Sequence, residues 1–155
     1  MQAAIRKARM DDVKEIHAFL LNAAGEGMLL PRSLTQLYSH LRDFFVMLDE
    51  NNVIVGCSSL SIVWEGLAEI RSLQVAPACR RKGGGKSLVQ TCLNEARELG
   101  LKRVFALTYQ VEFFVSQGFS VTPKDMLPQK VWLDCIHCAK FPDCDETAVL
   151  LELEP

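Results

Sequence analysis

The chain has 155 residues, of which 49% are hydrophobic and 23% charged, with a net charge of −2. That length suits one domain able to bury roughly 70% of the surface its unfolded chain exposes, and so small a charge gives no footprint for nucleic acid or an anionic membrane. The opening residues lack a signal peptide's apolar block and no apolar run approaches spanning length, so the expectation is a soluble, cytoplasmic single domain over residues 1–155.

In chain order, Ala3–Ala8 reads as a strand. Asp12 and Glu15 have capping-box spacing, and Ile16, Phe19 and Leu20 share a face, which predicts a helix from Asp11 or Asp12 to about Ala23. Gly25-Glu26-Gly27 breaks it. A second box, Ser33 and Gln36, opens a helix carrying Leu34, Leu37, Tyr38 and Leu41. Phe44–Leu48 and Val53–Ile62 are apolar segments joined by the polar turn Asp49-Glu50-Asn51-Asn52, and Leu67–Val75 returns as a third strand. Leu88, Val89, Cys92, Leu93 and Ala96 form the apolar stripe of a helix from Lys86 to about Leu99, ended by Gly100. Arg103–Leu107 is a strand, Glu112–Gln117 a short helix stopped by Gly118, and Phe119–Val121 and Ala148–Leu153 the last strands. Strands alternating with helices predict a mixed α/β sheet covered on both faces.

The most informative stretch is Val75-Ala76-Pro77-Ala78-Cys79-Arg80-Arg81-Lys82-Gly83-Gly84-Gly85. A strand runs out through proline, meets three cations and enters glycines that open a helix. Glycine lets successive backbone N–H groups turn toward one point, and the helix aims its positive end there, so the segment predicts a phosphate cradle. Gly85-Lys86-Ser87 has the tail of the nucleotide P-loop, but that motif needs glycine where Arg80 stands, which excludes it.

The spacing Arg80-x-x-Gly83-x-Gly85 instead resembles the pyrophosphate loop of the GCN5-related N-acetyltransferase (GNAT) superfamily. More widely, Leu30-Pro31-Arg32-Ser33, Glu69-Ile70-Arg71-Ser72-Leu73-Gln74-Val75, Arg103-Val104-Phe105-Ala106-Leu107-Thr108, Phe114-x-x-x-Gly118-Phe119 and Leu127-Pro128 resemble the acetyltransferase domain of bacterial N-acetylglutamate synthase. The resemblance implies the GNAT fold, a mixed, mostly antiparallel sheet of six to seven strands flanked by about four helices. It implies transfer of acetyl from acetyl-coenzyme A to the α-amine of an amino acid, with L-glutamate and arginine synthesis the specific expectation. A GNAT acetylating another small amine or a protein amino group is the alternative, and a non-catalytic acetyl-coenzyme A sensor is the alternative of another class. Full-length members carry an amino-acid-kinase domain that this chain does not contain, which leaves a homodimer or a separate kinase-like partner open.

The resemblance also implies roles. The cofactor would be held by Arg80, Arg81, Lys82, Gly83, Gly84, Gly85, Lys86 and Ser87, with the backbone of Leu73, Gln74 and Val75 pairing with the pantetheine arm at a bulge. Glu69, on the same strand, is the candidate base that deprotonates the ammonium directly or through water. The family's usual tyrosine acid falls at Phe114, which leaves Tyr109 as the nearest replacement. A dicarboxylic amino acid calls for fixed guanidinium groups, and Arg32, Arg71 and Lys130 are the candidates.

Residues 131–146 contain Cys135, Cys138 and Cys144. Three thiolates with His137 or an aspartate fit a tetrahedral zinc site, and the first two fit a redox pair. A full zinc motif shows a second pair, which is missing, so the favoured reading is a reduced loop covering the substrate pocket, with no metal. His17 and His40 fall on predicted helices and read as structural or surface residues.

Overall fold

The computed structural model describes residues 4–25, 32–124, 127 and 146–153. Its elements are β1 (Ala4–Lys7), α1 (Val13–Gly25), α2 (Leu34–Ser39), β2 (Phe44–Leu48), β3 (Ile54–Trp64), β4 (Leu67–Val75), α3 (Gly84–Glu98), β5 (Arg103–Thr108), α4 (Val111–Ser116), β6 (Ser120–Val121) and β7 (Thr147–Glu152). The strands hydrogen-bond in the order β1-β2-β3-β4-β5-β7-β6, a mixed and mostly antiparallel arrangement. Contacts group the chain into two units, Met1–Ser61 with Ile70–Leu93 and Ile62–Glu69 with Asn94–Pro155.

In the first unit, β1 and β3 each lie antiparallel to β2, with Ala4 opposite Leu48 and Phe44 opposite Ser59. Val13, Ile16 and Leu20 recur at helical spacing on α1 and meet Leu37, Phe44, Val46, Ile54 and Cys57 in one apolar cluster. Each such side chain contributes about 1.5–3 kcal/mol when fully buried. The box at α2 forms as read, with Ser33 N–H donating to Gln36 Oε1 (3.0 Å) and Gln36 N–H to Ser33 Oγ (3.1 Å). The box at α1 does not. Asp12 lies in a 3-10 turn, where its carboxylate takes Arg6 at 2.7 and 3.1 Å and the Arg9 N–H at 2.7 Å. Glu15 reaches across to accept from the Ile54 N–H at 2.9 Å. The Asp12 carboxylate thus caps the 3-10 turn ahead of α1 and at the same time holds Arg6 in a charge-assisted two-pronged pair.

Helix α3 starts at Gly84, ahead of the predicted Lys86. Its stripe of Leu88, Val89, Cys92 and Leu93 is buried as expected. Met47 explains two glycines beneath it, since a Cβ at Gly56 or Gly84 would come within 2.7 or 2.8 Å of the Met47 methyl.

In the second unit, β4 runs parallel to β5 with Leu67–Glu69 opposite Arg103–Phe105, and β7 lies antiparallel along β5 from Arg103 opposite Glu152 to Thr108 opposite Thr147. Val63, Leu67, Phe105, Leu127 and Ala148 form its apolar cluster. Phe114 sits edge-to-face between Phe113 and Phe119, both at 5.2 Å. Gly118, at φ +99°, turns the chain after α4 so that the Phe119 N–H returns to the Phe114 carbonyl.

Candidate active site

Strand β4 loses its regular form at Ser72, whose φ is +55°. A side-chain-bearing residue in the left-handed region costs of order 1–2 kcal/mol, and a residue in that conformation marks a bulge that bends its strand. Burial changes at the same place, with Leu67–Ile70 buried and Arg71, Ser72 and Leu73 half-buried. The carbonyl of Ser72 accepts from Cys57 Sγ (3.3 Å), and that of Arg71 from Ser59 Oγ (3.1 Å). Arg32, itself buried, donates to Ser72 Oγ (3.2 Å) with its guanidinium 5.1 Å above the Phe44 ring. Burial pushes the Cys57 thiol up to about 12, against the opposing charge of Arg32.

Beyond β4, a 3-10 turn at Pro77–Cys79 leads into Arg80, whose Nε donates back to the Val75 carbonyl at 3.1 Å. Arg81 and Gly83 then take φ +67° and +83°. Nothing lies within 4 Å of where a Gly83 Cβ would sit, so that glycine serves backbone conformation and leaves open space above it. The Ser87 N–H closes the first helical bond on the Gly83 carbonyl at 3.0 Å. The expected run of donors from Gly83 to Ser87 is therefore shortened, because Ser87 spends its N–H inside the helix. Helix geometry leaves the N–H groups of Gly84, Gly85 and Lys86 without intrahelical acceptors. Arg80, Arg81, Lys82 and Lys86 are exposed around them. This arrangement fits a diphosphate, with directed neutral donors at the centre and exposed cations at the rim.

Of the remaining candidates, some belong to the described residues and others lie outside them. Glu69 is buried on β4 at 8% exposure, whereas Tyr109 follows β5 at 38% exposure. The Gln110 N–H turns back onto Thr108 Oγ1 at 2.7 Å beside that tyrosine. Phe114, at 4% exposure, belongs to the core and offers no proton. Arg32 and Arg71 both belong to the first unit, where Arg32 donates to the Ser72 hydroxyl and the Arg71 carbonyl accepts from Ser59 Oγ. Lys130, Cys135, Cys138 and Cys144 lie outside the described residues. Among the described residues no group of three His, Cys, Asp or Glu side chains is arranged to hold a metal ion, and no helix is long and apolar enough to cross a membrane. The sequence reading did not find the side chains of Cys57 and Ser59. A cysteine and two serines, Cys57-Ser58-Ser59, inside an otherwise apolar strand were the available signal.

The chain is 39% identical over 149 residues to an uncharacterised N-acetyltransferase of Chlorobaculum tepidum, covering 96% of each. It is 39% identical to an amino-acid acetyltransferase of Mycobacterium tuberculosis over 75% of this chain and 67% of that one. Against an amino-acid acetyltransferase of Neisseria meningitidis it is 32% identical, and it spans 29% of that relative's length. Among solved structures it resembles N-acetylglutamate synthase from Neisseria gonorrhoeae in complex with coenzyme A and N-acetyl-glutamate, with a TM-score of 0.86 at 25% identity, over all of this chain and 36% of that one. A Mycobacterium tuberculosis protein in complex with coenzyme A and a second ligand gives 0.83 at 32% identity, over 97% and 99% of the two chains. Residues 1–119 match the acetyltransferase (GNAT) family, to which this chain belongs.

Proposed function

We propose that this chain transfers the acetyl group of acetyl-coenzyme A to the α-amine of an amino acid, with L-glutamate as the acceptor. The observation that carries it is one continuous piece of backbone, the Ser72 bulge followed by the Arg81–Gly83 turn and the first turn of α3. A bulged strand offers ladder groups to an extended arm, and the helix end offers N–H donors to the diphosphate that terminates it. The Neisseria gonorrhoeae synthase, solved with coenzyme A and N-acetyl-glutamate, supports both the donor and the acceptor.

Acetyl-coenzyme A supplies an activated thioester, whose C–S bond breaks as the amine nitrogen bonds to the carbonyl carbon. An ammonium has no lone pair for that attack, so a base must first remove a proton. Glu69, buried on β4, takes this role directly or through water. A backbone N–H of the Leu73–Val75 segment would donate to the thioester oxygen as charge develops there. After attack the nitrogen releases its second proton to water, and the departing thiolate takes one from water or from Tyr109; thiols are acidic enough for the first route to suffice. Arg71 and Arg32 would receive the acceptor's carboxylates, because a guanidinium matches a carboxylate with two parallel bonds.

The test is a mass-spectrometric screen of the purified protein with acetyl-coenzyme A against the twenty amino acids. N-acetylglutamate as the main product supports the reading. A different acetylated amino acid keeps the chemistry and replaces the acceptor. Coenzyme A binding without any product overturns the amino-acid reading in favour of a protein substrate or a sensor.

A further inference from the structure

The two dihedrals of Ser72 are rotations between two peptide planes. One plane carries the Arg71 carbonyl and the other carries the Ser72 carbonyl. Both carbonyls accept from side chains of β3, Ser59 Oγ at 3.1 Å and Cys57 Sγ at 3.3 Å. Successive carbonyls of a regular strand point to opposite edges, so two donors on one face of one neighbour can reach both only where the strand is turned out of its regular form. Cys57 and Ser59 are two apart on β3, which places them on that one face, and both are fully buried. Arg32 adds a third tie through Ser72 Oγ. Two donors thus converge on Ser72 and a third on the carbonyl just before it, around a conformation that is intrinsically unfavourable, and fixing the carbonyl of each plane fixes the angle between them.

We propose that Cys57 and Ser59 are positioning residues for acetyl transfer, stapling the Ser72 bulge from within β3 and so aiming the Leu73–Val75 backbone at the acyl donor. This rests on the acetyl-transfer reading above. Neither side chain touches the reacting atoms. The thiol is suited to the task, because burial pushes it up to about 12 and so keeps its S–H donor in place at neutral pH.

The test is a double-mutant cycle that relieves the strain being held. Ser59→Ala removes one staple, and Ser72→Gly makes a left-handed φ free of steric cost. Coenzyme A affinity is read by calorimetry on the purified full chain. Ser59→Ala should weaken binding about fivefold, the effect of one net hydrogen bond, and in the Ser72→Gly background the same change should cost less than about twofold. Cys57→Ser, which keeps a donor on a shorter bond, should lose less affinity than Cys57→Ala. Equal losses from Ser59→Ala in both backgrounds would overturn the proposal, since a merely structural residue has no reason to depend on the freedom of Ser72. Backbone chemical shifts of residues 71–75 supply a readout without ligand. They should move in Ser59→Ala, and unchanged shifts would overturn the staple even if the acetyl-transfer reading stood. Failure of the unmodified protein to bind coenzyme A, with the shifts responding as expected, would remove the function and the aim toward it while leaving the staple as a purely structural device.

Discussion

The loop at Arg81–Gly83 and the bulge at Ser72 both carry left-handed backbone, and they hold it by opposite means. At Gly83 the conformation is free of strain, the surroundings are open and the neighbouring cations are exposed. At Ser72 the conformation is strained, and it is tied by Cys57, Ser59 and Arg32 from the protein interior. On the acetyl-transfer reading, the loop would receive the charged end of the cofactor at an open surface. The bulge is set before any ligand arrives. Binding strength should therefore draw on both regions, and the fixed geometry of reacting groups on the strand alone.

The largest expected effect sharpens that division on β4. Glu69→Gln should lower kcat by about 10²–10³-fold, the usual worth of a positioned base, with the KM for acetyl-coenzyme A nearly unchanged; steady-state kinetics with the acceptor found in the screen will show it. An equal rise in KM would mean that Glu69 serves binding. Next, Gly83→Val places a β-branched side chain at φ +83°. It should raise the KM for acetyl-coenzyme A about tenfold or more, given a strain of order 1–2 kcal/mol, and leave kcat intact.

A third change lies outside both regions. Arg6 holds the Asp12 carboxyl below its ordinary value of 3.8 through their hydrogen bond, so this pair stabilises the folded state fully above that pH and ceases to do so as pH falls through the lowered folded value. Asp12→Asn should cost about 1 kcal/mol at pH 7, seen as a lower urea midpoint, and the gap from the unmodified protein should close only below pH 3.8. The smallest effect is expected at Gly84→Ala. The new methyl would meet the Met47 methyl at 2.8 Å, but that is the free end of a flexible side chain. A melting-temperature change within about 2 °C would fit a displaced methionine, a cost well under 1 kcal/mol.

The two regions also differ in how far the sequence discloses them. A run of glycines after a strand states its own backbone chemistry, so the loop, the start of α3 within two residues and the ends of β2 and β4 could all be read directly. The Ser33–Gln36 box was legible for the same reason, since both partners are local in sequence. Ser72 carries no such sign. Nothing about a serine in an apolar strand announces φ +55°, because the conformation is imposed by donors 13 and 15 residues upstream on β3 and by Arg32, 40 residues away. Asp12 and Glu15 failed as a local box for the same physical reason: distant partners, Arg6 and the Ile54 N–H, claimed their oxygens. Phe114 could be placed as a departure from the family pattern, and the structure adds what the sequence lacked, an aromatic stack that makes the ring a core residue.

The Cys57 thiol has a use beyond the hydrogen bond it donates. It is fully buried, and with its proton held up to about 12 it is nearly all thiol at neutral pH. The thiolate is the species that attacks an alkylating reagent, so in the closed protein this sulfur is protected by sealing and by chemistry together. It becomes reactive when β3 and β4 part. The rate at which an alkylating label enters Cys57 is therefore a clock for transient opening of the strand pair, native to the chain and readable residue by residue in a digest.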